Sequence, residues 1–119
     1  MKIKNLVGEE LCNSINEVRL STDEYEEMVI LSKDMLDWGT MLTEKLGPPL
    51  VSAEKIVIEG SAKKEYLAKR DVALKHANSF GGISKGQTLY HGTFDLTEIL
   101  ILLWPWQDNA HVTLKKAIM

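Results

Sequence analysis

A long run of apolar residues near the C-terminus predicts the centre of the fold. Residues 99–104 carry only large apolar side chains, and the turn-forming residues 105–109 follow them. A run of this kind, bounded by turn residues, is typical of a strand that is buried on both faces. The residues after the turn alternate between apolar and polar, so we expect a hairpin to a last strand. That strand has Val112, Leu114 and Ile118 on one face and His111, Thr113 and Lys115 on the other.

The clearest helical periodicity predicts one long amphipathic helix that ends at Leu46. Residues 21–24 form a capping-box pattern, in which a hydroxyl side chain and a later glutamate satisfy the first backbone amides of a helix. Glycine and proline at positions 47–49 end the helix. The apolar stripe between these boundaries comprises Tyr25, Met28, Leu31, Met35, Trp38, Leu42 and Leu46. Such a helix, about 24 residues and roughly 36 Å long, would extend beyond a small sheet, so we expect part of the stripe to contact a second copy of the chain.

The remaining pattern predicts two more helices and two more strands. These elements are a first helix over residues 8–20, a strand over residues 55–59, a third helix over residues 61–78 and a strand over residues 86–94. The first helix has its apolar stripe at Leu11, Ile15 and Val18. After residue 49 the order of elements fits a parallel crossover followed by an antiparallel meander. We therefore predict a single α+β domain over residues 1–119, in which an N-terminal pair of helices packs on a small mixed or antiparallel sheet of about four strands, with the third helix between the first two strands.

The composition is that of an ordinary globular protein. The chain of 119 residues is 45% hydrophobic and 26% charged, which excludes an intrinsically disordered chain. No apolar run approaches the roughly 18 residues that span a bilayer, and residues 1–10 do not have the pattern of a secretion signal. Cys12 is the only cysteine, which excludes disulfide frameworks and cysteine-based zinc sites within one chain. We therefore expect a cytoplasmic protein with no membrane contact, metal or cofactor.

Positive and negative charges are unevenly distributed along the chain. Residues 1–52 contain five Lys or Arg against ten Asp or Glu, and residues 53–119 contain nine against seven. The third helix carries most of the positive charge, at Lys63, Lys64, Lys69, Arg70 and Lys75. This asymmetry is typical of an acidic helix that pairs with a basic helix, within a chain or between subunits, and it also fits an anionic ligand. Nucleic-acid binding is disfavoured because the net charge is −3 and Tyr66 is the only aromatic residue among these basic residues.

Glycine-rich residues 81–86 show only a limited likeness to a phosphate-binding loop. Such loops open a helix, whose first amides and dipole hold the phosphate. Residues 81–86 precede a predicted strand, so we interpret them as a connection from helix to strand.

Two histidines and an aspartate provide candidate chemistry. His91 and Asp95 lie four residues apart at one end of a predicted strand, and His111 lies on a strand expected nearby. Two imidazoles and a carboxylate bind a divalent metal or arrange a general base. The spacing matches no metalloenzyme signature, so we favour a half-exposed strand histidine, a turn-forming aspartate and a solvent-facing histidine. Glu59 follows a predicted strand, and we interpret it as a register or capping residue.

Aromatic residues favour either a ligand pocket or a cover over the core. Trp104 and Trp106 flank a proline at the predicted hairpin tip, where they can stack on a ring, a sugar or a proline. For Trp104 we favour a role in covering the core, because it continues the buried run. Trp106 is the better candidate for ligand binding, because it is harder to bury. A pocket between the sheet and the long helix would be lined by Trp38, Tyr90, His91, Asp95, Trp104 and His111.

These features favour a non-enzymatic interaction or regulatory protein that forms a homo-oligomer, with a dimer as the expected state. The supporting observations are the long apolar stripe, the opposed charges of the two halves and the lack of catalytic motifs. The second hypothesis is a small-molecule binding protein or minor enzyme that uses His91, Asp95 and His111. The third is nucleic-acid binding through the basic third helix. The first hypothesis also allows a protein partner other than a second copy, although we favour the second copy.

Overall fold

The part of the chain that the structure describes contains one antiparallel sheet of five strands, and helices pack against both of its faces. The computed structural model describes residues 1–53 and 58–119. The elements are α1 (Ile3–Val7), α2 (Glu9–Cys12), β1 (Glu17–Ser21), β2 (Tyr25–Leu31), α3 (Met35–Leu46), α4 (Ala62–Ala77), β3 (Thr88–Phe94), β4 (Thr97–Pro105) and β5 (His111–Ile118). The strand order across the sheet is β1-β2-β5-β4-β3. The predicted α+β class is confirmed, and the sheet has one strand more than expected.

The central strand β4 is buried on both faces, as its apolar run predicts. Side chains of residues 99–103 are at most 1% exposed. The odd-numbered side chains pack with α1 and α3, and the even-numbered ones pack with α4. We call these two sides the α3 face and the α4 face of the sheet. The hairpin to β5 is also confirmed, and Val112 and Leu114 lie on the α3 face as the alternation predicts.

The predicted long helix is wrong over its first half, where the chain forms β2. Residues 25–31 pair with β5, and α3 covers only the second half of the predicted helix. Thr22 closes a hairpin turn instead of capping a helix, because its backbone N–H donates to the carbonyl of Tyr25 at 2.8 Å. Glu26 lies outside the predicted apolar stripe, yet it is buried and faces Lys116 across the sheet. The length of the stripe therefore no longer supports a contact with a second copy.

The predicted first helix is shorter than expected, and a strand follows it. α2 ends at Cys12, and the hydroxyl of Ser14 donates to the carbonyl of Leu11 at 2.6 Å where the chain turns. β1 then begins at Glu17, so Val18 is exposed rather than part of a buried stripe. α1, for which the sequence predicts no element, buries three apolar side chains in the core.

The other predicted elements are confirmed where the structure describes them. The third helix is α4, and the strand predicted over residues 86–94 is β3. The strand predicted over residues 55–59 falls mostly on residues 54–57, which lie outside the described residues. The predicted parallel crossover depends on that strand, and every strand pair that the structure describes is antiparallel. Within the described ranges, no helix has the length and apolar character needed to cross a membrane.

The two edges of the sheet differ in their surroundings. At the β3 edge, the N–H of Leu50 donates to the carbonyl of Leu89 at 2.8 Å, and the N–H of Leu89 donates to the carbonyl of Val51 at 2.9 Å. At the β1 edge, no strand from residues 1–53 or 58–119 lies beyond β1, and all five of its residues are exposed. The outer side of β1 therefore carries unpaired backbone groups.

Candidate functional site

The structure does not bring the two candidate histidines together. His91 on β3 lies beside Leu100 of β4, which lies beside Ala117 of β5. His111 precedes Ala117 by six residues along β5, a distance of roughly 20 Å at about 3.3 Å per residue. Asp95 lies at the exposed turn between β3 and β4. These residues form no common site, and the described ranges contain no group of three or more His, Cys, Asp or Glu side chains that could hold a metal.

His111 instead pairs with Asp108 at the turn between β4 and β5. Nδ1 of His111 lies 2.6 Å from a carboxylate oxygen of Asp108. The same carboxylate accepts hydrogen bonds from the backbone N–H groups of Ala110 at 2.8 Å and of His111 at 3.1 Å. The bond from Ala110, followed by the one from the imidazole, lowers the pKa of Asp108. Asp108 therefore stabilises the turn, as its place among the turn-forming residues 105–109 predicts. The sequence did not predict its pairing with His111.

His91 is a half-buried residue of the α4 face. Its Nδ1 is buried and has no hydrogen-bond partner among the described residues. Burial lowers the pKa of His91, Glu98 partly opposes this, and the charges of Lys69 and His76 lower the pKa further. These surroundings favour the neutral form of the imidazole. Among the described residues, His91 belongs to no group of three or more His, Cys, Asp or Glu side chains that could hold a metal.

We expect acid to destabilise the fold through His91. Its pKa in the native state lies below the ordinary value of 6.5, so the unfolded chain binds the proton more tightly. This contribution to the free energy of unfolding is fully present above about pH 6.5 and is lost as the pH falls through the native pKa. In urea unfolding between about pH 7 and pH 5, the wild type should lose stability more steeply than His91→Gln. Equal slopes for the wild type and His91→Gln would contradict this expectation.

Trp38 and Tyr90 are core residues on the α3 face. Trp38 is 0% exposed, and the hydroxyl of Tyr90 lies 3.3 Å from the hydroxyl of Thr43 and 3.4 Å from the carbonyl of Gly39. His91 lies on the opposite face of the sheet. The six residues of the predicted pocket are therefore divided between two sides of the sheet and a turn, and they do not line one cavity.

Both candidate tryptophans at the β4–β5 hairpin contact other parts of the chain. Nε1 of Trp104 donates to the carbonyl of Gly82 at 3.2 Å, and the ammonium of Lys115 lies 3.6 Å from the centre of a Trp104 ring. Nε1 of Trp106 donates to Oγ1 of Thr113 at 2.8 Å. The Trp106 ring also contacts the guanidinium group of Arg19 and the imidazole of His111. These contacts support the cover interpretation for both side chains.

The basic residues of α4 do not form one continuous face. At about 100° per residue, Lys63 and Arg70 lie on one side of the helix, Lys64 and Lys75 on a second and Lys69 on a third. The four lysines are exposed, whereas Arg70 is half-buried. This dispersion gives little support to nucleic-acid binding, which uses a continuous basic surface.

Grooves occur on both sides of the sheet. A groove of about 640 Å³ lies between the N-terminal helices and α3. The carboxylates that line it are Glu9, Glu10, Asp34, Asp37 and Glu44. A groove of about 350 Å³ lies between α4 and the residues before β3, and Arg70 and Lys85 line it. Neither groove is predictable from the sequence, because segments distant along the chain form each of them.

The free β1 edge presents apolar and charged side chains together. Val18 is 57% exposed and Leu20 is 51% exposed. Between them, a bulge leaves Arg19 without a partner residue in β2. Nε of Arg19 lies 3.7 Å from a carboxylate oxygen of Glu17. The free edge therefore combines unpaired backbone groups, two apolar side chains and one charge of each sign.

In comparisons with known proteins, no family model, curated protein or solved structure matches the chain.

Proposed function

We propose that the protein is a non-enzymatic interaction protein that forms a homodimer by pairing the free edge of β1 with the same strand of a second copy. The observation that carries the proposal is the contrast between the two sheet edges. Residues 50–51 occupy part of the β3 edge, whereas no described residue pairs with the outer side of β1. An unpaired strand edge is a template for hydrogen bonding to another strand.

Exposed apolar side chains support the same surface. Val18 and Leu20 lie on β1, and both are more than half exposed. Pairing with a second strand would remove part of this apolar surface from water, which favours association. The gain adds to the backbone hydrogen bonds that the new strand pair forms.

Charge complementarity favours a second copy as the partner. In an antiparallel pair centred on Val18, Val18 faces Val18 of the second copy, and Glu17 faces Arg19 of the second copy. The two-fold symmetry repeats this ion pair, so one interface contains two pairs of opposite charge. Opposite charges that face each other across strands stabilise the pairing, and like charges destabilise it.

The short length of β1 limits the strength of this dimer. β1 has five residues and contains a bulge, a feature that weakens edge-to-edge pairing. We expect an interface of this length to be smaller than that of a stable protein complex. We therefore expect a concentration-dependent dimer with a dissociation constant on the order of 100 µM.

Charge reversal tests this arrangement. Glu17→Arg should place like charges opposite each other twice and weaken the dimer about tenfold, and Arg19→Glu should do the same. The double variant E17R/R19E restores opposite charges and should recover most of the wild-type affinity. Sedimentation velocity over a range of protein concentrations measures each dissociation constant.

Asp71→Arg provides the matched control, because it makes the same charge change at an exposed position of α4. It should leave the dimer unchanged. A wild-type protein that stays monomeric up to about 1 mM would overturn the proposal. A double variant whose dimer is no tighter than that of the weaker-binding single variant would also overturn the proposal.

The other two hypotheses have less support from the geometry. A small-molecule site built on His91, Asp95 and His111 lacks a shared location, and the lysines of α4 lie on different sides of the helix. A cytoplasmic location remains part of our proposal, and the single cysteine, Cys12, supports it because the chain forms no internal disulfide.

A further inference from the structure

We propose that the groove between α4 and the loop before β3 binds a small phosphate monoester, with Arg70 and Lys85 as the groups that hold the phosphate. This site is separate from β1 and does not depend on dimer formation. The groove measures about 350 Å³, which is at the small end of the range for ligand sites in proteins. It contains cationic, apolar and backbone groups, which together fit a small ligand with one charged end.

Arg70 provides the first argument, because part of its guanidinium group lacks a partner. Nε of Arg70 is buried and makes no hydrogen bond within the described residues. Cζ of Arg70 lies 5.8 Å from the ring centre of Tyr66, whose hydroxyl donates to the carbonyl of Leu50. Tyr66 therefore holds the guanidinium group on the side of α4 that faces the sheet. A buried N–H without a partner is unfavourable. Arg70 also lines the groove, so its guanidinium group is placed to bind an anion there.

The charge of the groove provides the second argument. The lining residues that the structure describes include Arg70 and Lys85 and contain no Asp or Glu. Two positive charges match the charge of a phosphate monoester near neutral pH. The planar fork of an arginine suits the oxygen geometry of a phosphate group, and a lysine adds a second charge.

The loop is preformed, which lowers the cost of binding. The N–H of Ser84 donates to Oε1 of Gln87 at 2.7 Å, and the N–H of Gln87 donates to the carbonyl of Ser84 at 3.1 Å. These two bonds fix residues 84–87 beside the groove without using Lys85. The ammonium of Lys85 is exposed and takes part in no ion pair within the described residues.

The apolar residues that line the groove indicate the chemical character of the uncharged part of the ligand. Val51, Leu74 and Ile83 line the groove together with the two cationic residues. Such a wall accommodates a small uncharged group attached to the phosphate. We therefore expect a phosphate monoester with a compact apolar body to bind more tightly than inorganic phosphate.

Nuclear magnetic resonance titration tests the site directly. Inorganic phosphate should shift the Nε–Hε signal of Arg70 with a dissociation constant on the order of 1 mM, and phenyl phosphate should bind several-fold more tightly. Arg70→Gln and Lys85→Gln should each weaken binding about tenfold or more. Lys85 is exposed, so its substitution preserves the fold and keeps the test valid if Arg70→Gln does not fold.

Lys75→Gln is the matched control, because Lys75 lies on α4 outside the groove. It should leave the affinity for phenyl phosphate unchanged. If Lys75→Gln and Lys85→Gln lost equal amounts of affinity for phenyl phosphate, the attraction to basic residues would be diffuse and the proposal would be overturned. An Arg70 signal that does not move up to about 10 mM phenyl phosphate would also overturn it, whatever the state of the dimer.

Discussion

Replacing Lys116 with methionine should lower the free energy of unfolding by about 3–5 kcal/mol. Lys116 is 0% exposed, and its ammonium lies 3.3 Å from the carboxylate of Glu26, which is 4% exposed. The ammonium also donates to the carbonyls of Met1 and Asp23. Methionine fills most of the same volume, so the loss arises mainly because Glu26 remains buried without its counter-ion. Urea unfolding monitored by tryptophan fluorescence measures the change.

An exposed ion pair provides the control for this substitution. Nζ of Lys4 lies 3.8 Å from Glu9, and both side chains are mostly exposed. Lys4→Met should therefore change the stability by less than about 1 kcal/mol. The double variant E26Q/K116M should be more stable than the sum of the two single changes predicts, because it removes both charges. A Lys116→Met variant within about 1 kcal/mol of the wild type would contradict a buried pair at this position.

Replacing Gly92 with alanine should cost about 3 kcal/mol, because the new methyl group would overlap the end of α3. Gly92 is a buried residue of β3. A Cβ atom at this position would lie 2.3 Å from the carbonyl oxygen of Leu46 and 2.8 Å from its Cα. Both are backbone atoms, so relief requires α3 to move away from the sheet. The absence of a side chain at this position thus sets the distance between α3 and β3.

The same substitution at another glycine should have the opposite effect. Gly39 lies inside α3, and a Cβ atom there would have the hydroxyl of Tyr90 as its nearest neighbour, at an ordinary distance of 3.7 Å. Alanine is the better helix former, so Gly39→Ala should stabilise the protein by up to about 1 kcal/mol. Thermal unfolding of the two variants measures the expected loss of stability in Gly92→Ala and the expected gain in Gly39→Ala. A Gly92→Ala variant as stable as the wild type would show that α3 does not approach β3 this closely.

The centre of the fold was predictable because one physical signal determines it. Residues 99–103 are apolar at every position, and only a strand covered on both faces buries them all. The hairpin after them follows from the turn residues and the alternation in β5. The helix α4 was predictable from a polar segment with glycine beyond each end.

The β2 strand was not predictable from local periodicity, because a contact distant along the chain decides its conformation. Glu26 interrupts the alternation that a strand with one buried face should show, so a helical period fits residues 25–31 better. In the structure Glu26 is buried because Lys116, 90 residues further along the chain, neutralises it.

The candidate site was less predictable than the fold, because strand register decides which side chains meet. His91 and His111 lie on the same face of the sheet, yet the register of β3, β4 and β5 separates them. Asp108 is close to His111 in the sequence, and it is this local pair that forms. The free edge of β1 depends on the order of the strands, and the groove at Arg70 depends on the loop before β3. The pattern of residue types determines neither of them.

Amide hydrogen exchange at two protein concentrations tests the dimer through β1 most directly. We expect residues 17–21 to exchange more slowly about tenfold above the dissociation constant than about tenfold below it. The residues of β3 should exchange at the same rate at both concentrations, and Glu17→Arg should abolish the difference in β1. Exchange in β1 that does not change with concentration, in a protein that sediments as a dimer, would contradict the proposed interface.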